Sequence, residues 1–287
     1  MRRADFLRLS AAAAAVPWLA GCSSERERFA ALSVGAMDQG QAAAFAHAGY
    51  GHLELSVSAD LVPDRDDAAF AQRLGRLRRL EPSCRMMNGF YHAERKMVGP
   101  DADHAFFLRW GAIAFPRAAQ AGVRIITIGS GKARRCPDGF EIGRAREQFA
   151  KLLAGLLPMA ADQGIALAIE NLNERETNLG VTMDESLGIV TAAGEGMRLT
   201  CDLYHMMRMS ESPSALTRAL SRVVHCHVAE RERRTPPGTA GDDFRPFLRV
   251  LREGGYPGAF SFECGWGAGK ATPTVALAAF REQLRSC

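Results

Sequence analysis

Residues 198–230 read RLTCDLYHMMRMSESPSALTRALSRVVHCHVAE. Two short β-favouring runs, Arg198–Tyr204 and Val223–Val228, flank a stretch, Pro213–Leu220, in which apolar residues recur at helical spacing. A strand, a helix and a second strand in this order predict two parallel strands joined by a crossover. The same unit repeats outward in both directions. Runs at Leu32–Met37, His52–Val57, Cys84–Phe90, Arg124–Ile128, Ile165–Leu172 and Ala259–Cys264 bring the strands to eight. Helical patterns fall at Gln41–Ala48, Asp66–Leu80, Ala105–Ala121, Arg144–Gln163, Met183–Ala193, Phe244–Glu253 and Pro273–Leu284. Gly49, Gly122, Gly164 and Gly254 stand where helices should stop. Eight such units in about 250 residues predict a single (β/α)8 TIM barrel. No G-x-G-x-x-G follows the first strand, which argues against an open dinucleotide-binding sheet.

Composition sets the outer limits. With 47% apolar and 24% charged residues among 287, the chain has an ordinary globular balance. A formal charge of +4, spread over 36 basic and 32 acidic residues without a basic block, predicts no nucleic-acid partner. No apolar run reaches the roughly 18 residues of a spanning helix, so a multi-pass membrane protein is excluded.

Residues 1–22, MRRADFLRLSAAAAAVPWLAGC, have a basic start and an apolar stretch from Leu9 to Ala20, the plan of an export signal. Leu19-Ala20-Gly21-Cys22 resembles a bacterial lipobox, which would place a lipid on Cys22 and tether the chain at the periplasmic face of a membrane. With Ser23 rather than an acidic residue after it, the outer membrane of a Gram-negative cell is the expected home. Arg2-Arg3 near Phe6-Leu7 resembles a twin-arginine signal with wider spacing. Cleavage before Cys22 removes three arginines and one aspartate, leaving 266 residues with net charge +2. Residues 23–28 (SSERER) are polar and read as a tether, so the barrel is expected over 29–287. Six cysteines remain beyond Cys22, with no C-x-x-C and no framework spacing.

Acids and histidines inside buried strands need an explanation. The fifth run carries Glu170, the sixth Asp202 with His205 just beyond it, the seventh His225 and His227, and the eighth Glu263. Side chains alternate along a strand, so if Asp202, His227 and Glu263 face the barrel mouth, Cys201, Cys226 and Cys264 face the helices. His225 then shares the face of His227, one layer deeper. Three carboxylates and an imidazole at one mouth repel unless they bind protons or a cation. Oxygen and nitrogen ligands suit Mn²⁺, Co²⁺, Zn²⁺ or Mg²⁺ better than Cu(I). Two long connections, Gly129–Glu141 and Ala229–Asp242, lie at the end where barrel enzymes place their sites.

This set resembles the xylose isomerase-like barrel superfamily, most closely its ketose 3-epimerase and hydroxypyruvate-isomerase branch. The resemblance implies one divalent metal, Mn²⁺ first, held by Glu170, Asp202, His227 and Glu263. It assigns Glu170 and Glu263 a second duty as acid/base pair, and gives Glu176, His205 and Arg233 to the substrate. Asn88–Phe90 (NGF), the GSG-to-PDGF stretch at 129–140 and the Pro237-Gly238 turn extend it along the chain. The export signal and a Pro-Pro insertion after Arg233 depart from the pattern.

The implied chemistry is proton removal beside a carbonyl to give a metal-stabilised cis-enediolate. Proton return to the opposite face epimerises, and return to the neighbouring carbon isomerises. The expected partner is a small carbohydrate, with the membrane reached only through the lipid and room left for a homo-oligomer. Two alternatives share these residues: a lyase or dehydratase acting on a keto-sugar or glycoside, and a non-catalytic carbohydrate-binding lipoprotein. An apurinic endonuclease of the same superfamily is disfavoured because no histidine follows His227 to complete a third metal site.

Overall fold

The computed structural model describes residues 24–267 and 271–287, so the expected export signal with Cys22 lies outside the described residues. Eight parallel strands close into a barrel in sequence order, with β8 pairing back onto β1. They are β1 (Val34–Ala36), β2 (His52–Ser56), β3 (Cys84–Asn88), β4 (Ile125–Ile128), β5 (Ala166–Glu170), β6 (Arg198–Asp202), β7 (Val223–Val228) and β8 (Ala259–Phe262). The predicted (β/α)8 architecture is the observed one.

Alternation along the strands divides the protein into two interiors. Ile126, Ile128, Leu167, Ile169, Cys201, Cys226, Phe260 and Phe262 belong to one continuous apolar core. That core sits between the barrel and its helices, α2 (Ala42–Ala48), α3 (Asp67–Leu77), α4 (His104–Gln120), α5 (Gly131–Arg134), α6 (Ile142–Ala161), α7 (Met183–Ala193), α9 (Ala215–Ala219), α10 (Arg245–Glu253) and α11 (Pro273–Ser286) among them. Residues of opposite parity bond across the barrel between strands that are not neighbours. Thr127 on β4 meets Thr200 on β6 at 2.7 Å, and His52 on β2 meets Ser261 on β8 at 3.1 Å. The barrel lumen is therefore polar, and Cys201 and Cys226 lie on the helix side with free, buried thiols.

Space in the lumen depends on backbone approach. A Cβ on Gly35 would stand 2.2 Å from the His52 ring, so the imidazole fills the volume that a side chain on β1 would need.

Two expectations are corrected here. Residues 23–28 are not simply a tether, because Glu25–Ala30 form helix α1. Ser24 and Glu27 make a reciprocal capping box, and buried Phe29 packs edge-on against Phe260, 6.1 Å between centroids. The sixth strand stops at Asp202 instead of Tyr204. The Asp202 Oδ1 accepts the His205 amide at 3.0 Å and caps α8 (Leu203–Arg208), which turns the chain out of the sheet.

Candidate metal centre

The four residues at the ends of β5 to β8 converge. One ligand atom each from Glu170, Asp202, His227 and Glu263 lies within 4.8 Å of all the others. His227 is central: its Nδ1 is 2.6 Å from Glu170 Oε1 and 3.0 Å from Glu263 Oε2. Glu170 can come this close because Gly129 leaves room; a Cβ there would stand 2.7 Å from its Oε2. Behind it, the fully buried Arg134 donates to the Glu170 carbonyl at 2.7 Å and fixes the end of β5.

The donor set passes a test of fit for a divalent cation. Asp202 Oδ2 and Glu263 Oε2 are buried and accept no well-formed hydrogen bond. Arg234 Nη2 stands 2.7 Å from the second and 3.5 Å from the first, as charge compensation. Three carboxylates and one imidazole match hard to borderline divalent ions.

Electrostatics pulls the two glutamates apart. Burial, reinforced by Glu263, pushes the Glu170 carboxyl up to about 8. Burial acts in the same sense on Glu263, but Arg234 and His227 outweigh it and hold that carboxyl at about 2. Burial opposes a charge on His227, yet Glu54, Glu170 and Glu263 together keep it protonated well above the usual histidine range. One carboxyl thus holds its proton beside another that stays ionised.

Around these four stand the polar groups of a pocket of about 350 Å³, which Glu176, Arg234 and Asn88 help to line. Asn88 Nδ2 donates to Glu263 Oε1 at 3.3 Å. His205 is fully buried, and its Nδ1 accepts the Asn173 amide at 3.1 Å. Burial lowers its pKa, so the ring is neutral and its proton sits on Nε2, which has no hydrogen-bond partner. Its nearest acids are Asp202 at 3.5 Å and Glu176 at 3.9 Å.

Arg233 is elsewhere. Its side chain is 77% exposed and reaches only Glu232, at 4.0 Å. The arginine of the site is the next residue. Arg234 contacts Glu176, Asp202 and Glu263, donates Nε–H to the Glu263 carbonyl at 3.0 Å, and stacks over Tyr204 at 4.8 Å. The slip of one residue has a backbone cause: Arg233 and Arg234 both adopt left-handed conformations, φ 59° and 52°, which a count along the chain does not reveal. The loop is held from behind by buried Glu230. Its carboxylate accepts the amides of Gly238, Thr239, Ala240 and Gly241 and the Thr235 hydroxyl.

A family model described as the xylose isomerase-like TIM barrel matches residues 42–285. The chain belongs to that family. Among solved structures similar to this xylose isomerase-like barrel is the 3-keto-D-glucoside 4-epimerase YcjR of E. coli. It has a TM-score of 0.70 at 16% identity, covering 89% of this chain and 100% of that one. Another is the D-allulose 3-epimerase of Methylomonas sp., with a TM-score of 0.71 at 21% identity over 88% and 98% of the two chains. Such likeness shows the fold. In sequence, 145 residues are 28% identical to the uncharacterized protein MJ1188 of Methanocaldococcus jannaschii. They cover 49% of this chain and 52% of that relative, so the match spans about half the length of the curated protein.

Sequence reading passed over Glu54 in this family member. Glu54 is fully buried on β2, accepts from His225 Nε2 at 2.8 Å and lies 3.0 Å from His227 Nε2. Burial would raise its pKa, but the two imidazoles hold it well below the carboxylate range. The signal was present: an acid inside the apolar run HLELS is the same anomaly that marked the last four strands.

Proposed function

We propose that this protein is a divalent-metal-dependent isomerase or epimerase of a keto-sugar or related hydroxy-carbonyl compound. The observation that supports it best is the meeting of Glu170, Asp202, His227 and Glu263, with two buried carboxylate oxygens that accept no well-formed hydrogen bond, beside a pocket of polar side chains. A bound divalent cation, Mn²⁺ by preference, supplies Lewis-acid polarisation of the substrate carbonyl. Asp202 and His227 act only as ligands, with His227 offering Nδ1 while Nε2–H donates to Glu54.

Glu170 and Glu263 exchange the proton on the carbon next to the carbonyl. Removal by one and return by the other from the opposite face inverts that carbon. His205 Nε2–H and Arg234 donate to substrate oxygens, and Glu176 accepts from a hydroxyl. The epimerases that share the fold act on free sugars or a keto-glucoside, as their names state, which agrees with an uncharged carbohydrate. An exported chain tethered through Cys22 fits the same substrate, because sugar phosphates are mostly kept inside cells. Cys22→Ala is then expected to leave the protein unprocessed or released, and unchanged membrane fractionation refutes the tether.

The test is turnover of keto-sugars in D₂O by the Mn²⁺-loaded protein, followed by NMR. Carbon-bound deuterium should enter next to the carbonyl. Glu170→Gln and Glu263→Gln should each lower the rate about 10²- to 10⁴-fold. Full turnover in both variants overturns the two-glutamate scheme.

A further inference from the structure

A second cavity, of about 640 Å³, opens at the same end of the barrel. It lies between the turn after β2, the segment after β3 and the outer face of α4. Tyr91 and His92 line both this cavity and the polar pocket, so the two meet at that dipeptide.

Its wall is aromatic and braced. Tyr91 packs against Phe106 and Trp110, with centroids 5.3 Å apart in each case, and Phe106 lies 5.7 Å from Trp110. Trp110 is pinned by its indole N–H, which donates to the Phe90 carbonyl at 2.9 Å. The rim is polar, with His92, Arg109 and Asp64 all exposed. Neither His92 nor Arg109 has a side-chain partner among the described residues, and Asp64 has only Arg65, at 3.6 Å. Ile113, at the edge, is one of only two large hydrophobic residues left exposed among those described.

Aromatic rings beside planar hydrogen-bonding side chains match the two kinds of surface on a sugar ring. The C–H face lies against the negative face of the π system, and the hydroxyl edge meets carboxylate, guanidinium and imidazole. Arg109 and Asp64 balance in charge, so the occupant is neutral instead of a phosphate. The polar pocket already provides for the reacting ring, and a free ketohexose leaves the second cavity without an occupant.

We propose that this cavity is a second sugar subsite, and that the substrate is a glycoside. Its keto-bearing ring sits against Glu170 and Glu263, and the neighbouring neutral ring lies on Tyr91 and Trp110, since Arg95 covers the Phe106 ring at 4.4 Å. This rests on the carbohydrate reading of the polar pocket and adds the substrate's length to it.

The test is saturation-transfer NMR on the full-length chain stripped of metal, with cellobiose and methyl β-D-glucopyranoside as probes. Stripping the metal separates the subsite from the metal chemistry. Cellobiose should bind more tightly, with saturation on both rings. Arg109→Ala with Asp64→Ala, both on the surface and away from the core, should weaken cellobiose about tenfold, the worth of one or two net hydrogen bonds, and leave the methyl glucoside unchanged. Trp110→Ala should remove saturation from one ring only.

Equal binding of the two probes, or no response to the surface pair, overturns the subsite. So does a concentration-dependent dimer in sedimentation that Ile113→Ser dissolves, since a second copy would then be the occupant. Cellobiose binding without deuterium exchange on any keto-sugar would overturn the epimerase reading and leave the subsite standing. Exchange without selective cellobiose binding would do the reverse.

Discussion

Two polar layers lie inside the same barrel and differ in one respect. The lower one, His52, Glu54 and His225 with Ser33 and Ser261, satisfies nearly all of its hydrogen bonds internally; His225 Nδ1 alone lacks a partner. The upper one, Glu170, Asp202, His227 and Glu263, leaves two carboxylate oxygens without proper donors. Both join acids to imidazoles and both bury most of their members, so neither residue type nor burial alone separates them. Satisfaction does. A closed network fixes geometry, whereas an open one is prepared for something to bind. His227 belongs to both layers, one ring nitrogen in each.

That contrast breaks if substitutions in the two layers behave alike. The largest effect is expected in the upper layer: Asp202→Ala or His227→Ala should reduce tightly bound divalent metal in the folded protein to nothing measurable by elemental analysis. In the lower layer, acid stability is the sharper reading. Burial, then the neighbouring His225, depresses the His52 pKa to about 3, against about 6.5 in the unfolded chain. Below pH 6.5 the unfolded state takes up a proton that the folded state refuses, so stability falls with pH until about 3. Between pH 7 and 4.5 this costs roughly 2–3 kcal/mol. Denaturant titrations of His52→Gln should show a pH slope shallower by that amount, and parallel slopes would refute the assignment.

Glu54→Gln addresses the shared residue. Losing the carboxylate behind the ligand ring should weaken metal affinity about 10- to 100-fold without abolishing binding, as read by calorimetric titration. The smallest contrast separates adjacent arginines. Arg234→Ala should raise KM about tenfold, the order of one charge-assisted hydrogen bond, with metal content intact. Arg233→Ala should leave both unchanged.

The barrel was legible because eight strands and their helices repeat one pattern, and buried parallel strands carry a dense apolar signal. The four clustered residues were legible for the opposite reason: each is a polar residue where that signal should continue. Glu54 shows the same anomaly on β2, but its partners lie on β7, and a contact across the lumen leaves no local spacing to read. The arginine was misplaced by one because register in a loop is set by φ, not by counting. The aromatic cavity had no sequence signature, since Tyr91 and Trp110 become neighbours only when α4 returns along β3.

Glu230 bears on how this molecule can be inherited. A single carboxylate gathers the amides of residues 238–241, and the 230–235 turn closes on itself through the Glu230 amide and the Thr235 carbonyl. The loop is thereby a small self-fastened module, joined to the barrel at its roots, with the side chains of Arg231, Glu232 and Arg233 exposed at its tip. Side-chain changes at the tip can accumulate over generations without disturbing Arg234, whereas one change at Glu230 unfastens everything it holds. Descendants of this chain can vary the side chains of that tip freely, while the fastened turn and the strands beneath pass on unchanged.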